Sequence, residues 1–164
     1  MSLTEKNLEA AFAGESQANR KYLAFAKKAE EEGYLQVARL FRAAAAAETI
    51  HAHNHLKEMG GVRSTRENLE TAIKGESFEF QQMYPKMIED ANMEKNNKAL
   101  RSFSLANEVE KVHAKLYQAA LDSLGKNVDS DYYVCQVCGY TAEGDAPDEC
   151  PVCKAKRQAF RKVA

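Results

Sequence analysis

The 164-residue chain has no tryptophan, three prolines and no long apolar run. No stretch reaches the roughly 20 consecutive apolar residues that span a bilayer, so we expect no membrane segment. The formal net charge of −1 gives no basic excess for binding nucleic acid or an anionic membrane, and we expect neither partner. The first residues lack the basic and apolar regions of a signal peptide, which predicts a cytoplasmic protein.

Cysteine is absent before position 135, and the last part of the chain then contains four: Cys135, Cys138, Cys150 and Cys153. They form two Cys-x-x-Cys pairs in a segment too short to bury a core of its own, so we expect a metal to hold it together. Four thiolates suit tetrahedral iron or zinc, and the spacing alone does not separate a redox iron from a structural zinc. The neighbouring Tyr133, Tyr140 and Phe160 would limit access of water and favour an electron-transfer iron.

Between Thr4 and Leu124, apolar residues recur at steps of three and four positions, which predicts helices rather than strands. Pro85 lies inside the third helix and should kink it or disturb its hydrogen bonds. Short connections between long amphipathic helices favour antiparallel neighbours and hence a mainly α, four-helix bundle. The predicted helices cover about 4–31, 34–59, 66–92 and 96–124.

The bundle is expected to end at Gly125, a residue typical of helix C-termini. The polar residues that follow are typical of a linker, and the turn-rich segment beyond them differs in composition from the helices. We therefore predict a helical domain at 1–125, a linker at 126–131 and a small four-cysteine domain at 132–164.

The helical part repeats itself, since Gly-Glu-Ser and Glu-x-x-His each occur once in either half. All six acidic and imidazole side chains of the repeat lie on apolar stripes, where a carboxylate is costly unless it is paired, protonated or bound to a cation. One glutamate followed by Glu-x-x-His, twice over, is the ligand order of di-iron carboxylate bundles, and oxygen-rich ligands suit iron or manganese. The six candidate ligands are Glu15, Glu48, His51, Glu76, Glu110 and His113.

Three further residues are candidates for the same site. Glu79 breaks the internal symmetry because its counterpart in the first half is Ala18; it is either a seventh metal ligand or a solvated surface acid. Tyr22 and Tyr84 lie one or two turns from the lone glutamates. They either donate hydrogen bonds to ligating carboxylates or simply belong to the core.

Both parts of the chain resemble the rubrerythrin family. AFAGES, AAETIH, KGESFEF and ANEVEKVHAKLY resemble its ferritin-like di-iron domain, and YVCQVCGY with APDECPVCKAK resembles rubredoxin. The resemblance implies a di-iron centre (Fe–O–Fe) and one mononuclear Fe(Cys)4. It assigns one iron to Glu15, Glu48, Glu79 and Glu110, and the other to Glu48, Glu76, Glu110 and His113, with Glu48 and Glu110 bridging. On reduction, the first iron would exchange its Glu79-type ligand for the His51-type ligand.

The resemblance also implies an activity, the reduction of hydrogen peroxide to water. Electrons would pass through the Fe(Cys)4 site from a reduced-nicotinamide-dependent rubredoxin reductase or similar donor, so that the peroxidase is NAD(P)H-linked through redox partners. A homodimer is expected, with or without exchanged helices, in which one subunit's four-cysteine site serves the other's di-iron site. The alternatives are a ferritin-like protein that oxidises and stores iron, and a scaffold with zinc at both sites.

One residue departs from the rubredoxin pattern. Lys154 follows the fourth cysteine, where rubredoxin-like knuckles usually have glycine. If its backbone is left-handed, the lysine costs about 1 kcal/mol, although metal ligation itself is not threatened.

Overall fold

The structure is a computed structural model that describes residues 1–163, and it is mainly helical. Each predicted helix is confirmed, with ends within two residues of those expected, although the third is interrupted. Among the described residues, no helix combines the length and apolar character needed to cross a membrane. The helices are α1 (Leu3–Glu31), α2 (Leu35–Glu58), α3 (Thr65–Phe78), α4 (Tyr84–Met93) and α5 (Asn97–Asp122), with a π-helical turn at Glu79–Met83.

The chain divides into two compact units, Met1–Arg63 and a second beginning at Ser64, which we call the N-terminal and C-terminal units. The N-terminal unit is an antiparallel hairpin of α1 and α2 whose buried residues are mostly alanines, which let the two helices approach closely. Asn19 joins them, since its Nδ2 donates to the carbonyl oxygen of Ala45 at 2.7 Å and to Oγ1 of Thr49 at 2.8 Å.

The C-terminal unit packs α3 and α4 against α5. Ser64 starts α3 with a capping box, and the Asn96 side chain caps α5 by accepting a hydrogen bond from the Ala99 backbone at 3.1 Å. Pro85 lies in the first turn of α4 and has no N–H to donate to the preceding turn. The predicted disturbance is therefore confirmed, and it takes the form of the π-helical turn rather than a break.

The last part of the C-terminal unit, residues 132–163, is what we call the cysteine module. Its antiparallel sheet has the order β2-β1-β3, with β1 at Tyr132–Cys135, β2 at Thr141–Glu143 and β3 at Phe160–Lys162. The rings of Tyr140 and Phe160 meet edge to face with centroids 6.3 Å apart. Its largest fully buried side chains are Cys135 and Cys150, so sulfur occupies the place of an apolar core.

Candidate metal centres

The four cysteine thiols converge on one point. All four Sγ atoms lie within 4.8 Å of one another, and none forms a disulfide. The Sγ atoms of Cys135 and Cys153 are 3.6 Å apart, as are those of Cys138 and Cys150. A tetrahedral ion with metal–sulfur distances of about 2.3 Å requires sulfur–sulfur distances of about 3.8 Å. The four side chains therefore fit one tetrahedral metal ion.

The two Cys-x-x-Cys knuckles share a backbone geometry. The N–H of Gly139 donates to the Cys135 carbonyl at 2.9 Å, and that of Lys154 donates to the Cys150 carbonyl at 3.0 Å. Both donors are left-handed, with φ of 85° at Gly139 and 64° at Lys154. The backbone of Lys154 is therefore left-handed, as the expected strain requires, and a lysine occupies a conformation that favours glycine.

Burial and hydrogen bonding move the thiol pKa values apart. Burial acts against the Cys135 thiolate, but the backbone N–H groups of Val137 and Cys138 outweigh it and lower the pKa of Cys135. Burial raises the pKa of Cys138 and of Cys153. Since a metal ion requires all four as thiolates, its positive charge would offset the cost of ionising the buried thiols.

In the C-terminal unit, Glu76, Glu110 and His113 form a second cluster, which we call the C-terminal half-site. Their ligand atoms lie within 4.8 Å of one another, and Nδ1 of His113 is 2.8 Å from Oε2 of Glu110. Burial, a hydrogen bond to Glu110 and the negative charges of Glu110 and Glu79 raise the pKa of Glu76 to about 7. Carboxylates that repel one another in this way are stabilised by a shared cation.

Glu79 lies beside this cluster, at the first position of the π-helical turn. Burial and the charge of Glu110 raise the pKa of Glu79, while the charge of His113 lowers it. Tyr84 is also close: burial, followed by the charges of Glu110, Glu79 and Glu76, raises the pKa of its hydroxyl. The charges of the half-site thus act on both Glu79 and Tyr84. The role of Glu79 as a ligand and that of Tyr84 as a hydrogen-bond donor stay predictions.

The N-terminal unit contains the matching cluster of Glu15, Glu48 and His51, the N-terminal half-site. Nδ1 of His51 lies 2.8 Å from Oε2 of Glu48, as in the other half-site. The imidazoles differ in exposure, however, because the His51 side chain is 54% exposed and that of His113 only 27%.

Tyr22 belongs to an aromatic group in the N-terminal unit. Its ring centroid lies 6.4 Å from that of Phe25 and 6.1 Å from that of Phe41, and those two phenylalanines are 5.6 Å apart. These contacts favour the alternative in which Tyr22 is a packing residue.

The structure adds one residue that the sequence pattern did not identify. Oγ1 of Thr141, at the start of β2, lies 3.0 Å from Nε2 of His113 and 3.2 Å from the carbonyl oxygen of Gly139. A lone threonine after Gly-Tyr carries no signal of this contact, because the contact depends on which face of the cysteine module meets α5. The cysteine module and the C-terminal half-site of one chain are thus in direct contact.

Comparison with known proteins agrees with both kinds of centre. The rubrerythrin family model matches residues 6–121, and the model of the rubrerythrin rubredoxin-like domain matches residues 133–161. Rubrerythrin-2 of Clostridium acetobutylicum is 38% identical, over 98% of this chain and 96% of the relative. Nigerythrin of Nitratidesulfovibrio vulgaris is also 38% identical, over 96% of this chain and 85% of the relative. A solved structure of nigerythrin in a mixed-valence state has a TM-score of 0.61 at 38% identity and covers 99% of this chain and 88% of its own.

These matches confirm the predicted family and fold class, a ferritin-like helical domain followed by a rubredoxin-like module. They also confirm the predicted cofactors, a di-iron centre and one Fe(Cys)4, and the clusters of glutamate, histidine and cysteine fit both. The assignment of single side chains to single ions stays a prediction, as do the domain boundaries. The chain belongs to the rubrerythrin family of di-iron oxidoreductases.

Proposed function

We propose that the protein reduces hydrogen peroxide to water, using electrons that reach the di-iron centre from the Fe(Cys)4 site. The observation that supports this most directly is the contact between the cysteine module and His113 within one compact unit. An iron-storage protein needs no electron-carrying module against its ligand cluster. Nigerythrin, a relative, has been solved in mixed-valence and fully reduced states, which supports redox chemistry at such a centre.

When bound, the irons would supply Lewis acidity and electrons, with the four-cysteine iron as the electron source for the di-iron centre. Reducing one peroxide to two waters consumes two electrons and two protons. In the metal-free protein, the raised pKa values of Glu76 and Glu79 keep these carboxyls protonated at higher pH than ordinary glutamates. A metal ion would displace these protons, which leaves both carboxylates available as iron ligands.

The exchange of a Glu79-type for a His51-type ligand is part of the same proposal. The observation that supports it is that Glu79 begins a π-helical turn, a feature frequently found at functional sites.

We further propose a homodimer with exchanged helix hairpins, in which each di-iron centre takes its N-terminal half-site from one subunit and its C-terminal half-site from the other. The N-terminal unit leaves large apolar side chains exposed, among them Leu23, Phe25, Leu40 and Ile50, and these suit a subunit interface. The four free thiols favour a reducing cytoplasm. We propose a reduced-nicotinamide-dependent rubredoxin reductase or similar carrier as the donor.

Mixing inactive subunits tests the exchange. Glu48→Gln alters only the N-terminal half-site, and Glu110→Gln alters only the C-terminal half-site. In a heterodimer with exchanged hairpins, both intact halves meet in one centre, so peroxidase activity returns. Without exchange, each centre keeps one altered half and no activity returns.

A second mixture, Cys138→Ser with Glu110→Gln, tests the route of the electrons. Both changes lie in the C-terminal unit, so a relay from the cysteine module to its own chain's half-site gives no rescue. Rescue in this mixture would show relay to the half-site of the partner subunit instead.

The peroxidase activity itself is tested by anaerobic reduction followed by one equivalent of hydrogen peroxide. We expect the visible absorption of the ferric four-cysteine site to return much faster with peroxide than with air. In Cys138→Ser, only the di-iron centre should reoxidise, and once per reduction. Equal rates with peroxide and with air in the unaltered protein would remove the proposed function.

A further inference from the structure

We propose that Thr141 is a positioning residue that fixes the orientation of the His113 ring and ties it to the first cysteine knuckle. The inference rests on the proposed function in one respect, namely that the C-terminal half-site binds iron. It depends on the hydrogen bonds of Thr141 and on the placement of β2, not on peroxide chemistry.

The hydrogen bonds of Thr141 determine which nitrogen of His113 carries a proton. A hydroxyl has one proton to donate, and the Gly139 carbonyl oxygen, 3.2 Å from Oγ1, can only accept. With the hydroxyl proton assigned to this carbonyl, Oγ1 accepts at its 3.0 Å contact with Nε2 of His113, and Nε2 carries the N–H. The hydroxyl thus selects one tautomer of the neutral ring.

The second ring nitrogen, Nδ1, then presents a lone pair. In this tautomer Nδ1 has no proton, yet it lies 2.8 Å from a carboxylate oxygen of Glu110. Two acceptors at that distance require a proton or a cation between or beside them. Nδ1 would then be the nitrogen available to a metal ion, and the Thr141 hydroxyl would supply the partner that ligating imidazoles need on their second nitrogen.

The position of the Thr141 hydroxyl is set by the sheet and by the packing of the module on α5. Thr141 pairs with Val134 of β1, one residue before the ligand Cys135. A Cβ added to Gly139 would lie 3.8 Å from Cγ1 of Val109, a residue of α5 that is only 2% exposed. Strand β2 thus holds the Thr141 hydroxyl, the acceptor for His113, directly beside the first cysteine knuckle. In that knuckle, Cys138 precedes Gly139 in the chain.

The test compares Thr141→Val, which removes the hydroxyl and keeps the shape, with Thr141→Ser, which keeps the hydroxyl. Thr71→Val is the matched control, because the Thr71 hydroxyl donates to a backbone carbonyl on the exposed side of α3. The readout is the iron affinity of the bundle sites in competition with a chelator. Loss of such a ligand-orienting partner typically weakens metal binding 10- to 100-fold. We expect that loss in Thr141→Val only, with the visible spectrum of the Fe(Cys)4 site preserved.

A second readout does not depend on any variant. In the unaltered protein loaded with zinc at all sites, nitrogen-detected NMR should show the His113 ring protonated at Nε2, with that proton protected from exchange. A ring protonated at Nδ1, or an Nε2 proton that exchanges freely, would overturn the proposal. So would a Thr141→Val protein that holds its bundle iron as tightly as Thr71→Val does. A protein inert to peroxide that still shows the Nε2 proton would refute the proposed function alone.

Discussion

The raised pKa of Glu76 makes the stability of the protein depend on pH once its bundle metal is removed. The pKa of Glu76 is about 7 in the folded protein, against 4.5 as its ordinary value. Between these values the unfolded chain has lost the proton while the folded chain keeps it, so the free energy of unfolding falls as pH rises. The stabilisation is complete below pH 4.5 and is lost above about pH 7.

The size of this effect follows from the two pKa values. The full difference corresponds to about 3 kcal/mol. Glu76 is only partly buried, however, and solvent screens its interaction with Glu110 and Glu79. Reducing the figure by half or more for this screening leaves about 1–2 kcal/mol, which urea unfolding can measure.

The assay is urea unfolding followed by far-ultraviolet circular dichroism at pH values from 5 to 8. A chelator removes the bundle metal, and zinc is retained in the four-cysteine site. Glu76→Gln is the control, because it keeps the shape of the side chain and cannot ionise. The unaltered protein should lose about 1–2 kcal/mol more than Glu76→Gln across this range. An identical pH dependence in both proteins would refute the electrostatic interpretation of the half-site.

Metal binding gives an independent measure of the same proton. A metal ion displaces the proton from Glu76, so loading at pH 6 should release more protons than loading at pH 8. Glu76→Gln should reduce this difference, and Glu79 contributes to what remains because its pKa is also raised. Equal proton release at both pH values in the unaltered protein would show that Glu76 is already ionised in the metal-free state.

Three other predictions concern single residues. Lys154→Gly should stabilise the cysteine module by about 0.5–1 kcal/mol, because relief of the left-handed strain exceeds the entropic cost of glycine; it is measured as slower loss of the four-cysteine iron, and a faster loss would contradict it. Asn19→Ala should destabilise the protein by about 1 kcal/mol in urea, because it removes the hydrogen bond to the Ala45 carbonyl while the Thr49 hydroxyl still donates there; no loss of stability would contradict the interhelical role. His113→Gln should weaken the binding of oxidised iron in the bundle about 10-fold or more, whereas His51→Gln should weaken mainly the binding of reduced iron. If each variant weakened the binding of oxidised and reduced iron equally, the difference between the two histidine environments would be contradicted.

Much of the helical architecture could be predicted from the sequence because its determinants are local. The spacing of apolar residues gives the helices, and Ser-x-x-Glu before an apolar run marks the start of α1 and of α3. The π-helical turn was beyond such prediction. Pro85 signals that a hydrogen bond is missing, but whether the helix breaks, kinks or takes a wider turn depends on what packs around it.

The candidate metal residues also differ in whether local sequence or packing brings them together. Glu110 and His113 meet because positions three apart share a helix face, which the sequence shows directly. The raised pKa of Glu76 requires Glu110 to approach from another helix, and that distance is a property of the packing. Thr141 is the extreme case, since its role is set by a contact 28 positions away in the chain.

The duplicated half-sites are chemically equal in sequence, but the structure makes them unequal in two ways. Glu79 has no counterpart in the first half, where Ala18 stands. The cysteine module touches His113, whose ring then contacts Glu110 on one side and Thr141 on the other, whereas the His51 side chain is half exposed. An imidazole held at both ring nitrogens suits the permanent ligand that the proposed function makes of His113. One acid, Glu79, and one small metal-binding module thus add asymmetry to a symmetric ligand set.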